Sequence, residues 1–317
     1  MMAIAQRPLF LTEEDAASLV KVGDAIDALE RVFSDWDSPG TANLPRQRAP
    51  VGERFFNLMG AAWQAGEVFG LKAYVDPTYH VALYSSRERR LLALIEANHL
   101  SQLRTGAASG LATRLLANAD ARVLGVIGAG KQAFAQVAAV CAVRPIATVR
   151  VFSRTPESRE AFARRIQAEV GVEALPCASG EACVVGAHVV VTITKSADPV
   201  CRSEWLADGV HVNAAGANSA SRRELDQTAV LRAAVRVTDD RWQAQVEAAE
   251  FIDLAAEGRL DWVSVYELGD IVSGRTTGRR SETDVTLFKS LGIGLEDVAF
   301  AQLVYRRALE AGLGRAL

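Results

Sequence analysis

The sequence predicts an α/β protein in which a parallel-sheet domain is inserted into a discontinuous α+β domain built from both chain ends. Three observations carry this expectation. From Ala121 onward, apolar strand-like runs alternate with helical ones, the order that gives a parallel sheet with crossover helices. Residues 46–94 instead hold the runs FFNLMGAAW, VFGLKAYV and HVALYSS, which read together as an antiparallel sheet. Residues 284–313 read as one or two helices with Leu287, Leu291, Leu295, Val298 and Leu303 on an apolar face, returning to the first domain. The expected boundaries are 1–117 with 295–317 for the outer domain and 118–294 for the inserted one. A chain of 317 residues is long enough for two cores.

In chain order, Leu11 to Trp36 reads as a helix with Thr12 at the N-cap, three residues before Asp15. SPGTANLP then breaks regularity. After the antiparallel strands, residues 93–117 are rich in alanine and leucine and read as helical. RVLGVIG is an apolar strand, KQAFAQVAAVCAV a helix and TVRVFSR the next strand. A helix at PESREAFARRIQAEV and strands at HVVVTIT, GVHVNAAG and AAVRVTD follow.

Composition excludes several classes. Half of the residues are hydrophobic, 23% are charged and the net charge is -3, which gives no reason to expect nucleic acid or an anionic membrane as partner. No apolar run is long enough to span a bilayer. The start, MMAIAQRPLF, lacks a basic region followed by an apolar core, so no secretory signal is expected. Four cysteines without CxxC spacing and four scattered histidines fit a reduced, cytoplasmic chain with no protein-bound metal.

The most informative stretch is VLGVIGAGKQAFAQVAAV. Gly128, Gly130 and Ala133 form a GxGxxA turn that follows a strand and opens a helix, the context in which such a turn holds a dinucleotide. The first glycine permits the tight turn, the second lets backbone approach a pyrophosphate, and the small third residue packs helix on strand. Ala129, Lys131 and Gln132 complete the turn, whose N–H groups face the phosphates. At the end of the second strand, where a carboxylate would take the ribose hydroxyls of NAD, the chain has Ser153, Arg154 and Thr155. A hydroxyl and a guanidinium suit a 2′-phosphate, so NADP(H) is favoured and NAD(H) stays open.

Three cations stand in apolar surroundings: Arg46, Lys72 and Arg104. Lys72 interrupts a strand, and a buried lysine can have a lowered pKa suited to proton transfer. The arginines offer forks for a carboxylate. Each alone reads more readily as a surface group or a structural ion pair than as a functional group.

GLKAY, QLRTGAASGLAT, VLGVIGAGKQA, HVNAAGANSASRRELD, LGDIVSGR and TLFKSLGIGLED, in that order, resemble the ornithine cyclodeaminase/mu-crystallin family. The resemblance runs from about Leu11 to Gly314. It implies a homodimer with a discontinuous dimerisation and substrate domain and an inserted Rossmann domain, acting on an α-amino or α-imino acid beside a nicotinamide. It implies that Arg46, with Arg48 a nearby second candidate, and Arg104 bind the substrate carboxylate and that Lys72 is the active-site lysine. Thr105 is implied at the cofactor phosphate, and Thr192 and Thr194 at the nicotinamide and ribose. Arg222 and Ser290 join the cofactor set, and Met59 the substrate pocket. One departure is informative. Cyclodeaminases carry an aspartate where this chain has Asn218, and a glutamate where it has Asn57. An amide is no general base at neutral pH, although it orients a ligand by hydrogen bonds. The expected function is therefore NAD(P)H-dependent reduction of an α-imino acid to an amino acid, or its reverse. A cyclodeaminase-type lyase and a mu-crystallin-like binding protein are the alternatives.

Overall fold

The computed structural model describes residues 7–317; most of the segment read for a secretory signal lies outside them. Two compact units are present, residues 7–104 with Ile293–Leu317, and Thr105–Gly292.

In the first unit the strands are β1 (Leu9–Leu11), β2 (Thr41–Val51), β3 (Arg54–Trp63), β4 (Val68–Val75), β5 (Thr78–Ser85) and β6 (Arg90–Glu96). With Arg315–Ala316 they form a seven-stranded sheet, ordered Arg315–Ala316, β1, β6, β5, β4, β3, β2. β2 to β6 are antiparallel neighbours, while β1 joins β6 in parallel. The single expected N-terminal helix is two, α1 (Glu13–Leu19) and α2 (Val22–Ser34). Thr12 does cap the first through Asp15. Val20 is extended and ends it, and Asp24 accepts from the Lys21 N–H to open the second. SPGTANLP breaks the chain only in part, because Thr41 onward belongs to edge strand β2, with a bulge between Leu44 and Gln47 that accommodates Pro45.

The C-terminal helix, Gly294–Ala311, packs on β3 and β4. The approach depends on glycine: a Cβ at Gly294 would lie 2.4 Å from the Gly60 carbonyl oxygen. The ALIE portion of residues 93–117 is strand β6, and the helix α3 runs only over Asn98–Leu116. The division between units falls inside α3, between Arg104 and Thr105, rather than at its end. Its second half packs closely on helix α4 (Ala133–Val143), where a Cβ at Gly106 would meet the Ala135 carbonyl oxygen at 2.3 Å.

The second unit is an eight-stranded, all-parallel sheet. Its strands are β7 (Val123–Ile127), β8 (Thr148–Phe152), β9 (Glu173–Pro176), β10 (Val189–Thr192), β11 (His211–Ala214), β12 (Val235–Thr238), β13 (Val265–Glu267) and β14 (Thr286–Lys289). The order is β13, β12, β14, β11, β10, β7, β8, β9. Strand order reverses between β7 and β10, and the carboxyl ends of strands at such a point are where ligands bind. Both faces are covered. Leu124, Val126, Val189 and Val191 belong to one apolar core, and Ile127, Val190, Val212 and Leu287 to the other. The helix expected from Asp284 begins ten residues later, because TLFK is the buried strand β14 between β11 and β12.

Candidate active site

In the first unit, register places the functional side chains. Met59 of β3 lies opposite Lys72 of β4, which lies opposite Val81 of β5. On the next rung Arg48, Asn57, Tyr74 and Tyr79 align across β2 to β5. Two-residue alternation puts Met59 and Lys72 on the covered face, and both are buried.

Lys72 Nζ donates to Asp297 Oδ1 at 3.0 Å. Arg104 Nε donates to the same oxygen at 3.0 Å, and its Nη1 to Glu296 Oε2 at 2.9 Å. The two acids sit in the first turn of the C-terminal helix and are fully buried. Burial pulls the Lys72 ammonium from 10.5 down to about 7. Asp297 opposes this, while the positive charges of Arg104 and Arg46 add to the fall. The Lys72 ammonium also lies 5.3 Å from the Tyr74 ring centre and 5.6 Å from that of Tyr79; the two rings stack at 4.8 Å. Lys72 and Arg104 thus converge on two carboxylates, with the charge of Arg46 close enough to act on the lysine. Arg46 is buried, Arg48 is exposed, and Asn57 is buried with its amide donating to the Phe55 carbonyl.

Sequence reasoning assigned no role to Glu296 and Asp297, although GLED was among the motifs carrying the resemblance. Two adjacent acids inside the otherwise apolar LGIGLEDVAFA were the available signal. Tyr74 and Tyr79, aromatic residues on strands, read from sequence more readily as packing residues than as pocket lining.

The second unit holds the glycine turn. Gly128 has φ +119°, and a Cβ there would meet the Ile193 carbonyl oxygen at 2.4 Å, so the position requires glycine. Gly130 is the opposite case: a Cβ would meet nothing within 4 Å, leaving backbone open to a close ligand. Ala133 is fully buried at the start of α4, with Gln132 as its N-cap; Ala129 is half-buried and Lys131 exposed. The Thr192 hydroxyl, at the end of β10, and the Gln132 Oε1 are buried without hydrogen-bond partners among the described residues. Two orphan polar atoms and an open glycine backbone at the sheet's switch point fit a dinucleotide.

Beyond β8, Ser153 Oγ donates to the Thr155 carbonyl at 3.0 Å, Arg159 donates to the Ser153 carbonyl at 3.1 Å, and Arg154 is exposed. Thr105 is buried, and its carbonyl accepts from Gln136 Nε2 at 3.0 Å. Thr194 follows β10. Asn218 and Arg222, both half-buried, follow β11. Ser290, buried, donates its N–H to the Ala214 carbonyl at 3.0 Å. Its hydroxyl lies 3.5 Å from Asp239, whose carboxyl burial raises to about 6. No helix of the described residues is long and apolar enough to cross a membrane, and no cluster of metal-ligating side chains occurs among them.

The sequence pattern of the ornithine cyclodeaminase/mu-crystallin family matches residues 6–312. A Delta(1)-pyrroline-2-carboxylate reductase of Bacillus cereus is 37% identical over 320 residues, 96% of this chain and 98% of its own. The solved structure of Thermococcus litoralis Delta(1)-pyrroline-2-carboxylate reductase, in complex with NADH and L-proline, has a TM-score of 0.93 at 30% identity, covering 98% of this chain and 100% of that one. An archaeal alanine dehydrogenase dimer with bound NAD has a TM-score of 0.90 at 29% identity, covering 98% and 99%.

Proposed function

This chain belongs to the ornithine cyclodeaminase/mu-crystallin family, and on that premise we propose that it reduces the imine of an α-keto acid to an amino acid with NAD(P)H, or runs the reverse oxidation. The observation that carries the reading is the buried Lys72, held near neutrality among Arg46, Arg104 and Asp297. The reduced nicotinamide, when bound, supplies hydride.

The protein's own groups do the rest. Arg46 and Arg104 bind the substrate carboxylate, which fixes the orientation of the imine carbon. Arg104 keeps its geometry because Glu296 and Asp297 hold its Nη1 and Nε. Lys72 transfers a proton from Nζ to the imine nitrogen, raising the electrophilicity of the carbon, and a proton donor works best with a pKa near the working pH. Asp297 keeps that ammonium in place. Asn218 orients ligand by hydrogen bonds and carries no proton. With Met59 beside Lys72 and amide Asn57 beside Tyr74, the rungs next to the lysine offer no carboxylate from β3 to β5 for a cationic substrate tail. This favours a neutral imino acid over ornithine.

We assign the dinucleotide to Gly128, Ala129, Gly130, Lys131, Gln132, Thr105, Thr192, Thr194, Arg222 and Ser290. Ser153, Arg154 and Thr155 take a 2′-phosphate, so NADP(H) is the preferred form. We further propose a homodimer. Leu44, Phe56, Leu58, Phe69 and Leu71 lie on the uncovered face of β2 to β4, each at least 36% exposed, and an apolar sheet face of this kind marks an interface. Sedimentation at micromolar concentration tests it: a monomer would contradict the assignment. For the chemistry, NADPH oxidation should require an imine and should leave free ornithine untouched.

A further inference from the structure

Two loops of the second unit converge on one buried carboxylate that the chemistry above does not use. Glu224 is fully buried. Its Oε1 accepts from the Thr194 N–H at 2.6 Å and the Thr194 hydroxyl at 2.9 Å, and its Oε2 from the N–H groups of Gly216 at 2.7 Å and Ala217 at 3.1 Å. Thr194 follows β10, whereas Gly216 and Ala217 follow β11 and lead directly into Asn218. One side chain therefore ties together the two loops on the nicotinamide side of the assigned site. The loops touch closely enough to require glycine, since a Cβ at Gly216 would lie 2.1 Å from Thr194 N and 2.6 Å from Glu224 Oε1.

The backbone of Glu224 is anchored as well. Its backbone N–H donates to Glu250 Oε1 at 2.8 Å, and Glu250 pairs with the buried Lys289 at 3.1 Å. Among the described residues, four donors and no acceptor bond the Glu224 carboxylate, a demand that an ionised carboxylate meets and an amide does not. A glutamine must turn its NH2 group toward one pair of donors, leaving N–H groups buried without partners. Lys289 and Glu250 thus form a chain that ends at the loops bearing Thr194 and Asn218.

We propose that Glu224 is a positioning residue that fixes the loops after β10 and β11 relative to each other and so sets the binding of the nicotinamide half of the cofactor. The proposal rests on the reading that this unit binds a dinucleotide. Its consequence is selective. The glycine turn and the Ser153–Thr155 segment make no hydrogen bond to Glu224, so recognition of the adenosine half is independent of it.

The test uses Glu224→Gln, of equal size, and Glu224→Asp, which keeps the charge but lacks the reach. Each full-length protein is titrated with NADPH and with 2′,5′-ADP, with NADH and AMP in parallel. Amide hydrogen exchange is followed over residues 193–198 and 214–219. Both variants should bind the dinucleotide about ten-fold more weakly while holding the adenosine fragment within about two-fold, as expected for lost bonds to a charged acceptor. Exchange should quicken in those two segments and nowhere else. Equal weakening of dinucleotide and fragment would mean a general structural role and overturn the proposal. Variants indistinguishable from wild type, which itself binds, would overturn it while leaving the dinucleotide reading intact. Wild-type protein that binds none of the four nucleotides would overturn the reading, and the role of Glu224 with it. Should one variant fail to fold, the other decides by the same criteria.

Discussion

Replacing Lys72 by methionine separates its chemical role from its structural one. The side chain is 2% exposed, and displacement of its pKa from 10.5 to about 7 corresponds to a penalty on the charged form of about 5 kcal/mol. Methionine is of similar length and apolar, and its neighbours Met59 and Val81 across the strands are apolar as well. Asp297 keeps Arg104 Nε at 3.0 Å, so the substitution leaves no carboxylate without a cation. The melting temperature should therefore move by only a few degrees, about 1 kcal/mol or less. Turnover should fall about 10²- to 10⁴-fold, the usual contribution of a positioned proton donor, which is ~3–5 kcal/mol of barrier. The assay is NADPH oxidation with Δ1-pyrroline-2-carboxylate, followed across pH. A donor acts in its protonated form, so wild-type imine reduction should be highest below about 7 and decline as pH rises through that value. Amino acid oxidation needs the neutral amine and should rise over the same range. Lys72→Met should lose both limbs and keep its affinity for NADPH. Turnover within about three-fold of wild type, or persistence of the alkaline decline, would remove Lys72 from proton transfer.

Other expectations follow from the same geometry. Gly130→Ala should fold normally, because its Cβ meets nothing, yet weaken nucleotide binding by obstructing the pyrophosphate's approach; Gly128→Ala should lose thermal stability as well, from its positive φ and the clash with Ile193. Isothermal titration and melting curves on the pair distinguish the two roles, and equal melting temperatures would refute the distinction. Arg154→Asp should weaken NADPH by about 10- to 100-fold, the loss of a charge-assisted contact, while NADH changes little; equal losses would refute the 2′-phosphate assignment. Arg104→Met should cost about 3–5 kcal/mol in denaturant unfolding, because Glu296 loses the cation at its Oε2 inside the core. A change below about 1 kcal/mol would show that the buried pair is not held as described.

The second unit was the more legible in sequence. A glycine turn between an apolar strand and an alanine-rich helix is a local signal, and β7 and α4 fall where it placed them. The cations of the first unit were visible as charges in apolar text, but their convergence is a matter of strand register and of a helix more than 190 residues away in sequence, as the 193-residue separation of Arg104 from Asp297 shows. β14 escaped because a strand buried on both faces has no alternation, so TLFK followed by SLGIG merged with the helical period of the next element. β1 escaped because three residues carry no pattern, and the strand exists only through its pairing with β6 and the chain's last residues. Glu296 and Asp297 were passed over because the helical stretch was expected from Asp284, which put them inside it rather than in its first turn. Here the helix start is covered, and Lys72 and Arg104 are what the acids face.

The most direct measurement is NADPH oxidation by the wild-type protein on a small panel. The panel holds Δ1-pyrroline-2-carboxylate, a six-membered cyclic ketimine, pyruvate or glyoxylate with ammonia or methylamine, and iminosuccinate generated in place. Ornithine with NAD, assayed for ammonia, is the control. The proposed reaction predicts turnover on at least one imine, dependent on added reduced nucleotide, and no ammonia from ornithine. Silence on every imine together with ammonia released from ornithine would contradict it and assign the site to a redox-neutral lyase.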